Sequence, residues 1–141
     1  MKIKKLHRDA IIPMYQTEFS AGCDLHSVAE VSIAPGETKL VGTGLAMEIP
    51  MGFGGFIFAR SGMALKRGLA PANKVGVIDS DYRGELMVAL YNQSNTTQVV
   101  EKGERIAQLV IIPIRQVDFE EVTEISDTDR GAGGFGSTGT K

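Results

Sequence analysis

The chain has 141 residues, 43% hydrophobic and 23% charged, the size and balance of one ordinary core rather than two. Lys plus Arg number 15 against 17 Asp plus Glu, with no long basic run, which argues against long nucleic acids as partners, since binding them needs a concentrated positive footprint. Cys23 is the lone cysteine and His7 and His26 the only histidines; disulfide staples and cysteine-built zinc sites are therefore excluded, and with them the zinc-dependent nucleobase deaminases.

The basic start, Met1 to Leu6, leads into no apolar stretch and no small-residue cleavage site, so it does not read as a secretory leader. No apolar run is long enough to span a bilayer, and the expectation is a cytoplasmic protein without a membrane partner. Glycines, 17 in all, break the chain into short apolar segments that suit strands between turns better than helices. The predicted strands are Lys2 to Leu6, Val28 to Ile33, Thr38 to Ile49 with a break at Gly42 or Gly44, and Gly55 to Ala59. They continue with Leu86 to Tyr91, Gln98 to Glu101, Ile106 to Ile114 and Gln116 to Val122.

Leu86 to Leu90 is continuously apolar and predicts a strand buried on both faces, whereas Val117 and Phe119 alternate with polar neighbours as on a half-exposed strand. Ala34-Pro35-Gly36-Glu37 and Ile49-Pro50-Met51-Gly52 read as tight reversals. The one helical stretch is Gly62 to Lys66, stopped by Gly68. From Ser126 to Lys141 the only large apolar residue is Phe135, so this tail builds no core of its own.

Several segments carry chemistry-bearing residues. In the tail, Arg130, Gly131, Gly133, Gly134, Phe135, Gly136, Ser137 and Thr138 combine close-approach glycines, hydroxyl donors, a guanidinium and one flat ring, a set that covers a nucleotide as readily as it forms a disordered terminus. No Gly-Lys-Ser/Thr follows, so it is not a Walker loop. Arg60-Ser61-Gly62 opens the helical stretch, where free N–H groups collect beside a cation and a hydroxyl; a capping Ser61 after a solvated Arg60 is the plainer alternative. Asp79 follows the apolar run Val75 to Ile78, a setting for a carboxylate that orients a water and takes its proton. Asp81, two residues on, falls on the same side of an extended chain and suits a shared divalent metal; a polar hairpin tip is the bland reading of both.

Gln108 stands inside the apolar strand on the face of Ile106, Val110 and Ile112, and a buried amide there needs a partner. Asp24, after Ala21-Gly22-Cys23, is either a turn acid or an acid aimed at a metal-bound water. Neither histidine sits in a nucleophile setting, and Tyr15, Phe19, Phe53, Phe56 and Phe58 read as core or loop aromatics.

In this order along a chain of this length, AGCDL (Ala21 to Leu25), RSGMALKRG (Arg60 to Gly68), GVIDSDYRGEL (Gly76 to Leu86), GERIAQL (Gly103 to Leu109) and RGAGGFGSTG (Arg130 to Gly139) closely resemble the five motifs of the homotrimeric deoxyuridine triphosphatases, the dUTP pyrophosphatases. The resemblance implies an all-β, jelly-roll-like distorted β-barrel with one short helix, a barrel domain over residues 1–125 and a flexible glycine-rich arm over 126–141. It implies a homotrimer with shared active sites, the arm closing over a neighbouring subunit. The implied reaction is Mg²⁺-dependent hydrolysis of dUTP to dUMP and pyrophosphate, limiting uracil in DNA and supplying dUMP for dTMP synthesis.

By the same resemblance Asp79 orients the attacking water, and Asn73 binds the uracil edge with backbone groups of the Gly76, Val77 and Ile78 segment. Tyr82 packs under the deoxyribose, and Met87 belongs to the same substrate-binding set. Arg60, Ser61, Gly62 and Gln108 hold phosphates, and Asp24 acts through water on a Mg²⁺ chelated by the triphosphate. Phe135 stacks on uracil, with Arg130, Gly136, Ser137 and Thr138 around the phosphates. Cys23 stands where the family often has tyrosine or another bulky residue, and nothing in the sequence marks it as a reactive thiolate. Two other readings stay open: the related dCTP deaminase group, which shares the fold and part of the second motif, and a β-barrel trimer acting as a binding or regulatory module.

Overall fold

In the computed structural model, residues 1–134 are described; the tail residues Phe135, Gly136, Ser137 and Thr138 lie outside them. Eleven strands and one helix follow one another: β1 (Lys2–Lys5), β2 (Cys23–His26), β3 (Val31–Ile33), β4 (Thr38–Gly42), β5 (Leu45–Glu48), β6 (Phe53–Phe58), α1 (Ser61–Arg67), β7 (Leu69–Pro71), β8 (Gly76–Ile78), β9 (Met87–Asn92), β10 (Gln98–Val100) and β11 (Arg105–Pro113). They pair antiparallel into a four-stranded sheet β2-β11-β6-β8, a three-stranded sheet β4-β9-β7, and the pairs β1-β5 and β10-β3. The result is the β architecture that the short, glycine-punctuated segments predict, in the jelly-roll-like form that the family resemblance implies.

Alternation builds the core. Leu25 from β2, Ile57 from β6, and Ala107 and Leu109 from β11 project to one side of the four-stranded sheet and meet Val41, Val88 and Leu90 from the three-stranded one. Leu25, Leu90 and Leu109 are entirely buried. Each such leucine withdraws its whole side chain from water, roughly 1.5–3 kcal/mol of favourable transfer apiece. Asn92 is one of the buried polar residues: its Nδ2 donates to the Ile33 and Thr96 carbonyls at 2.9 and 2.8 Å, and its Oδ1 accepts from the Ser94 amide at 2.9 Å. Fully paired, it fixes the turn after β9 instead of destabilising the core.

The break expected near Gly42 or Gly44 separates β4 from β5. Gly44 has φ +66°, and a Cβ there would press into His7, Val28 and Ala10, so both backbone sign and space require glycine. The helix runs Ser61–Arg67 and ends on Gly68 at φ 64°, whose N–H reaches the Ala64 and Met63 carbonyls, as Gly68 predicts.

Four expectations need correction. Gln116 to Val122 forms no strand: among the described residues there is no helix or strand after Pro113. The alternation of Val117 and Phe119 is present, but no strand among the described residues pairs with it, and Phe119 stays 95% exposed. Second, β9 is not buried on both faces; Val88, Leu90 and Asn92 face inward while Met87, Ala89 and Tyr91 are exposed or half-buried. Third, Gln108 does not share a face with Ile106, because a register shift between Arg105 and Ala107 turns Ile106 into the core. Bulges reset side-chain parity in this way, and an apolar run gives no sign of them. Fourth, β2, β7 and β8 stand outside the predicted strands, each only three or four residues long and too short for periodicity to register.

Candidate active site

Two concave regions collect most of the residues singled out above. The first, about 320 Å³, is lined by Gly22, Asp24, Arg60, Ser61, Gly62, Arg105 and Gln108, with Gln16, Ser20 and Ala21 at its rim. It forms where β6 gives way to α1 beside β11 and β2. Arg60 holds the helix-cap position with extended backbone and no side-chain cap bond, so the alternative of a Ser61 cap after a solvated Arg60 is not what forms. Arg60 instead donates from Nε to Asp24 Oδ1 at 2.8 Å and from Nη1 to the Arg105 carbonyl at 3.1 Å. Arg105 in turn donates from Nη1 to Asp24 Oδ2 at 3.2 Å.

Gln108 finds its partner in the backbone, donating from Nε2 to the Ala59 carbonyl at 2.9 Å, and this leaves Oε1 near Gly22. A Cβ at Gly62 would meet nothing within 4 Å among the described residues. Together with the unbonded amides of a helix start, the concavity offers two guanidiniums, a hydroxyl and an amide, donors matched to phosphate. His26, two residues after Asp24 on β2, has its Nδ1 buried without a partner, and burial holds its pKa below the usual value despite the nearby Asp24 carboxylate. Cys23 is buried, its Sγ donates to the Leu109 carbonyl at 3.5 Å, and burial raises its pKa, so it is an inert packing thiol.

The second concavity, about 270 Å³, is lined by Leu40, Val77, Ile78, Asp79, Tyr82, Glu85 and Met87. It is an apolar cup with two carboxylates on its wall, Asp79 and Glu85, of which Glu85 already accepts the Gly44 N–H at 2.7 Å. The cup is shaped by the loop between β8 and β9: the Tyr82 N–H returns to the Asp79 carbonyl at 3.2 Å, and the Tyr82 hydroxyl donates to the Glu85 carbonyl at 3.0 Å. Gly84 makes room for this, since a Cβ there would overlap the end of the Tyr82 ring. The loop is not a hairpin, because β8 pairs with β6 in one sheet and β9 with β4 and β7 in the other. Asp79 and Asp81 do not face one side; Asp81 lines a different cavity with Met1, Lys2 and Arg83. The shared metal site expected of that pair is overturned by the turn at Asp79.

Asn73 lies beyond the cup, in the turn between β7 and β8 near Gly76, where Lys74 takes φ 65°. Gly76 is buried opposite Ile57. Arg130 lines neither concavity, its Nε donating to the Gly133 carbonyl at 2.8 Å. Arg105, Leu40 and Glu85 line the two regions and escaped the sequence reading. Arg105 stands inside the quoted GERIAQL segment, but one arginine opening an apolar strand carries no spacing signal.

The two regions share no lining residue. Asp24 lies on β2 at one edge of the four-stranded sheet and Val77 on β8 at the other, three strand spacings or about 14 Å apart. Asp24 is the one carboxylate lining the cationic region, and no group of three or more His, Cys, Asp or Glu among the described residues is arranged to hold a metal. That donor set suits a divalent cation delivered on a polyphosphate and met by a single carboxylate, rather than a resident metal.

A jelly-roll-like β protein with an arginine-rich anion cradle and a separate acid-bearing apolar cup belongs to the class that handles phosphorylated, ring-bearing ligands. The sequence pattern of the dUTPase family matches residues 8–139. The chain is 58% identical over 99% of its length to the deoxyuridine 5'-triphosphate nucleotidohydrolase of Nautilia profundicola, covering 98% of that protein. It is 51% identical to the enzyme of the same name from Picosynechococcus, over 99% of both. A solved structure of a variant of the Staphylococcus bacteriophage 80alpha dUTPase with dUpNHpp superposes with a TM-score of 0.92 at 30% identity, covering 99% of this chain and 98% of that one. A dUTPase variant from phage phi11 of S. aureus, described with a structural Mg(II) ion, superposes at 0.84 with 26% identity, covering 89% and 98%. The chain belongs to the dUTPase family.

Proposed function

We propose that the chain is a dUTP diphosphatase that hydrolyses dUTP to dUMP and pyrophosphate as a homotrimer. The observation that carries the reading is the pair of half-sites: an apolar cup holding Asp79 and Tyr82, and a cradle holding Arg60, Ser61, Gly62 and Gln108, separated across one chain. A nucleotide seated in the cup of one subunit receives its phosphate donors from another.

In this scheme Asp79 accepts a proton from a water as the water oxygen attacks the α-phosphorus. The bond from that phosphorus to the bridging oxygen breaks, and pyrophosphate leaves with the electron pair. Arg60 and the amides at Ser61 and Gly62 hold the negative charge that builds on the phosphate oxygens, from positions fixed before the reaction. The Asp24 carboxylate keeps the Arg60 guanidinium aimed, and it is the residue placed to meet, through water, a Mg²⁺ on the triphosphate; the ion supplies charge neutralisation when bound. Tyr82 forms the cup wall against the deoxyribose and bars a 2′-hydroxyl, while Asn73 and the Gly76 to Ile78 backbone take the uracil edge. Phe135, Gly136, Ser137, Thr138 and Arg130 belong to an arm, residues 126–141, that closes over a neighbouring subunit's site. A cytoplasmic location follows from the substrate, a highly charged DNA precursor that does not cross membranes unaided.

The test mixes the purified chain and Mg²⁺ with dUTP, dTTP, dCTP or UTP and follows pyrophosphate and ammonia. Pyrophosphate from dUTP alone is expected, and Asp79→Asn abolishes it while dUpNHpp still binds. Full turnover by Asp79→Asn removes the assigned base; ammonia from dCTP replaces the hydrolysis with deamination.

A further inference from the structure

The helix that presents the phosphate cradle is poorly supported by its own sequence. It has seven residues, only Met63 buried, and no acidic residue in its first turn; Leu65 is 86% exposed. An isolated helix of this length, about 10 Å, is not stable in water. Its two ends are tied to adjacent residues, the N-terminal end to Arg105 and the C-terminal end to Glu104. At the N-terminal end Arg60 bonds the Arg105 carbonyl and, through Asp24, the Arg105 side chain. At the C-terminal end Arg67 bonds Glu104 through Nη1, Gln98 Oε1 through Nε at 3.0 Å and the Val99 carbonyl through Nη2 at 2.6 Å.

Glu104 is itself fixed. Its second oxygen accepts the Glu101 N–H at 2.9 Å, and its carbonyl accepts the Ser27 N–H beside β2 at 2.9 Å. Both partners of the Arg67 and Glu104 pair are about three-quarters shielded, at 25% and 26% side-chain exposure. The pair touches neither concavity.

We propose that Arg67 and Glu104 are positioning residues for phosphate binding: they anchor the far end of α1 so that Arg60, Ser61 and Gly62 are held in the geometry that receives the triphosphate. This rests on the assignment of that cradle to phosphate made above. A helix strapped at both ends to one dipeptide cannot pivot about its cap. With the Arg67 strap cut, the last turn of α1 loses its side-chain ties to Glu104, Gln98 and Val99, and the axis that aims the donors at the helix start is less firmly set. The penalty then falls on ligands that engage the cradle and spares those that occupy only the cup.

The experiment measures binding of dUpNHpp and of deoxyuridine, which has no phosphate, to the unaltered chain and to Arg67→Gln, with KM and kcat for dUTP alongside. Arg67→Gln is expected to weaken dUpNHpp about tenfold, a size usual for residues that act through another group, and to leave deoxyuridine within about twofold. KM for dUTP rises in step. Glu104→Gln shows the same pattern at smaller size, since its amide oxygen still accepts from Arg67, and it serves if Arg67→Gln does not assemble. Equal weakening of both ligands marks a merely structural pair and overturns the proposal, as does unchanged dUpNHpp affinity in both variants. Failure of the unaltered chain to bind dUpNHpp overturns the functional reading itself.

Discussion

Gly84→Ala separates what the cup needs for folding from what it needs for selection. Gly84 has no positive φ to protect, so the substitution acts through space alone: the added methyl falls on the hydroxyl end of the Tyr82 ring. Tyr82 is 41% exposed and the atoms met are the far end of its side chain, so the ring moves aside rather than forcing the backbone. The cost to the fold is one half-exposed hydrogen bond, from the Tyr82 hydroxyl to the Glu85 carbonyl at 3.0 Å, about 1 kcal/mol. The cost to selection is larger, because a wall that rejects a hydroxyl by contact is worth about 1–3 kcal/mol, or roughly 10- to 200-fold. The expected result is a transition temperature within a few degrees of the unaltered chain, measured at one protein concentration because the assembly is oligomeric. With it comes at least a tenfold fall in the ratio of kcat/KM for dUTP over UTP. An unchanged ratio with the ring displaced, seen by tyrosine fluorescence, would refute the role given to Tyr82; a large stability loss with an unchanged ratio would refute the steric account.

Two further outcomes follow from the same geometry. Asp24→Asn leaves one oxygen for two guanidiniums, and since the Arg60 contact is the shorter and the more shielded, unfolding by denaturant is expected to show a loss of about 1–3 kcal/mol with a raised KM for dUTP; unchanged values for both would dismiss the clamp. Glu37 is held below the usual carboxylate range, first by the Ala34 N–H that its Oε2 accepts at 2.7 Å and then by Lys39. A depressed carboxylate contributes stability that is present above its unfolded value, 4.5, and is lost as pH falls through the folded one. The gap in transition temperature between the unaltered chain and Glu37→Gln therefore closes on going from pH 6 toward pH 3, and a gap constant with pH would contradict the assignment.

How much was legible in the sequence depended on whether a residue's job is local. Gly68 ends the helix because a left-handed cap is a property of one position, and the β4 to β5 break needed only Gly44. Ser61, Gly62 and Asp79 were visible because free amides at a helix start and an acid after an apolar run are short-range patterns. Asp24 and Arg105 are 81 residues apart and meet only because β2 and β11 pair. No local pattern announces that Arg105 belongs to the cradle or that the bulge beside it rotates Ile106 inward. Conversely, Val117 and Phe119 have a good strand pattern and no strand, since pairing is supplied by a neighbour and not by the segment itself.

That contrast bears on assembly. Within one chain the core is complete: Leu25, Ile33, Leu45, Leu69, Leu90 and Leu109 are shut away from water without help. The site is not. Chemistry at an α-phosphorus requires the base and the charge-stabilising donors at adjacent atoms of one ligand, yet Asp79 and Arg60 line separate concavities on this chain. Leu40 and Val77, both 61% exposed, stand on the wall of the Asp79 cup with Met87 at 39%. A lone subunit thus leaves an apolar concavity open beside Asp79, and an arginine cradle whose one carboxylate, Asp24, is already bonded to both guanidiniums. In the proposed trimer one contact resolves both problems, by bringing the cradle of one subunit to the cup of the next and covering the apolar rim. Dissociation should therefore abolish turnover well before it unfolds the barrel, because the core belongs to each chain and the site belongs to the trimer.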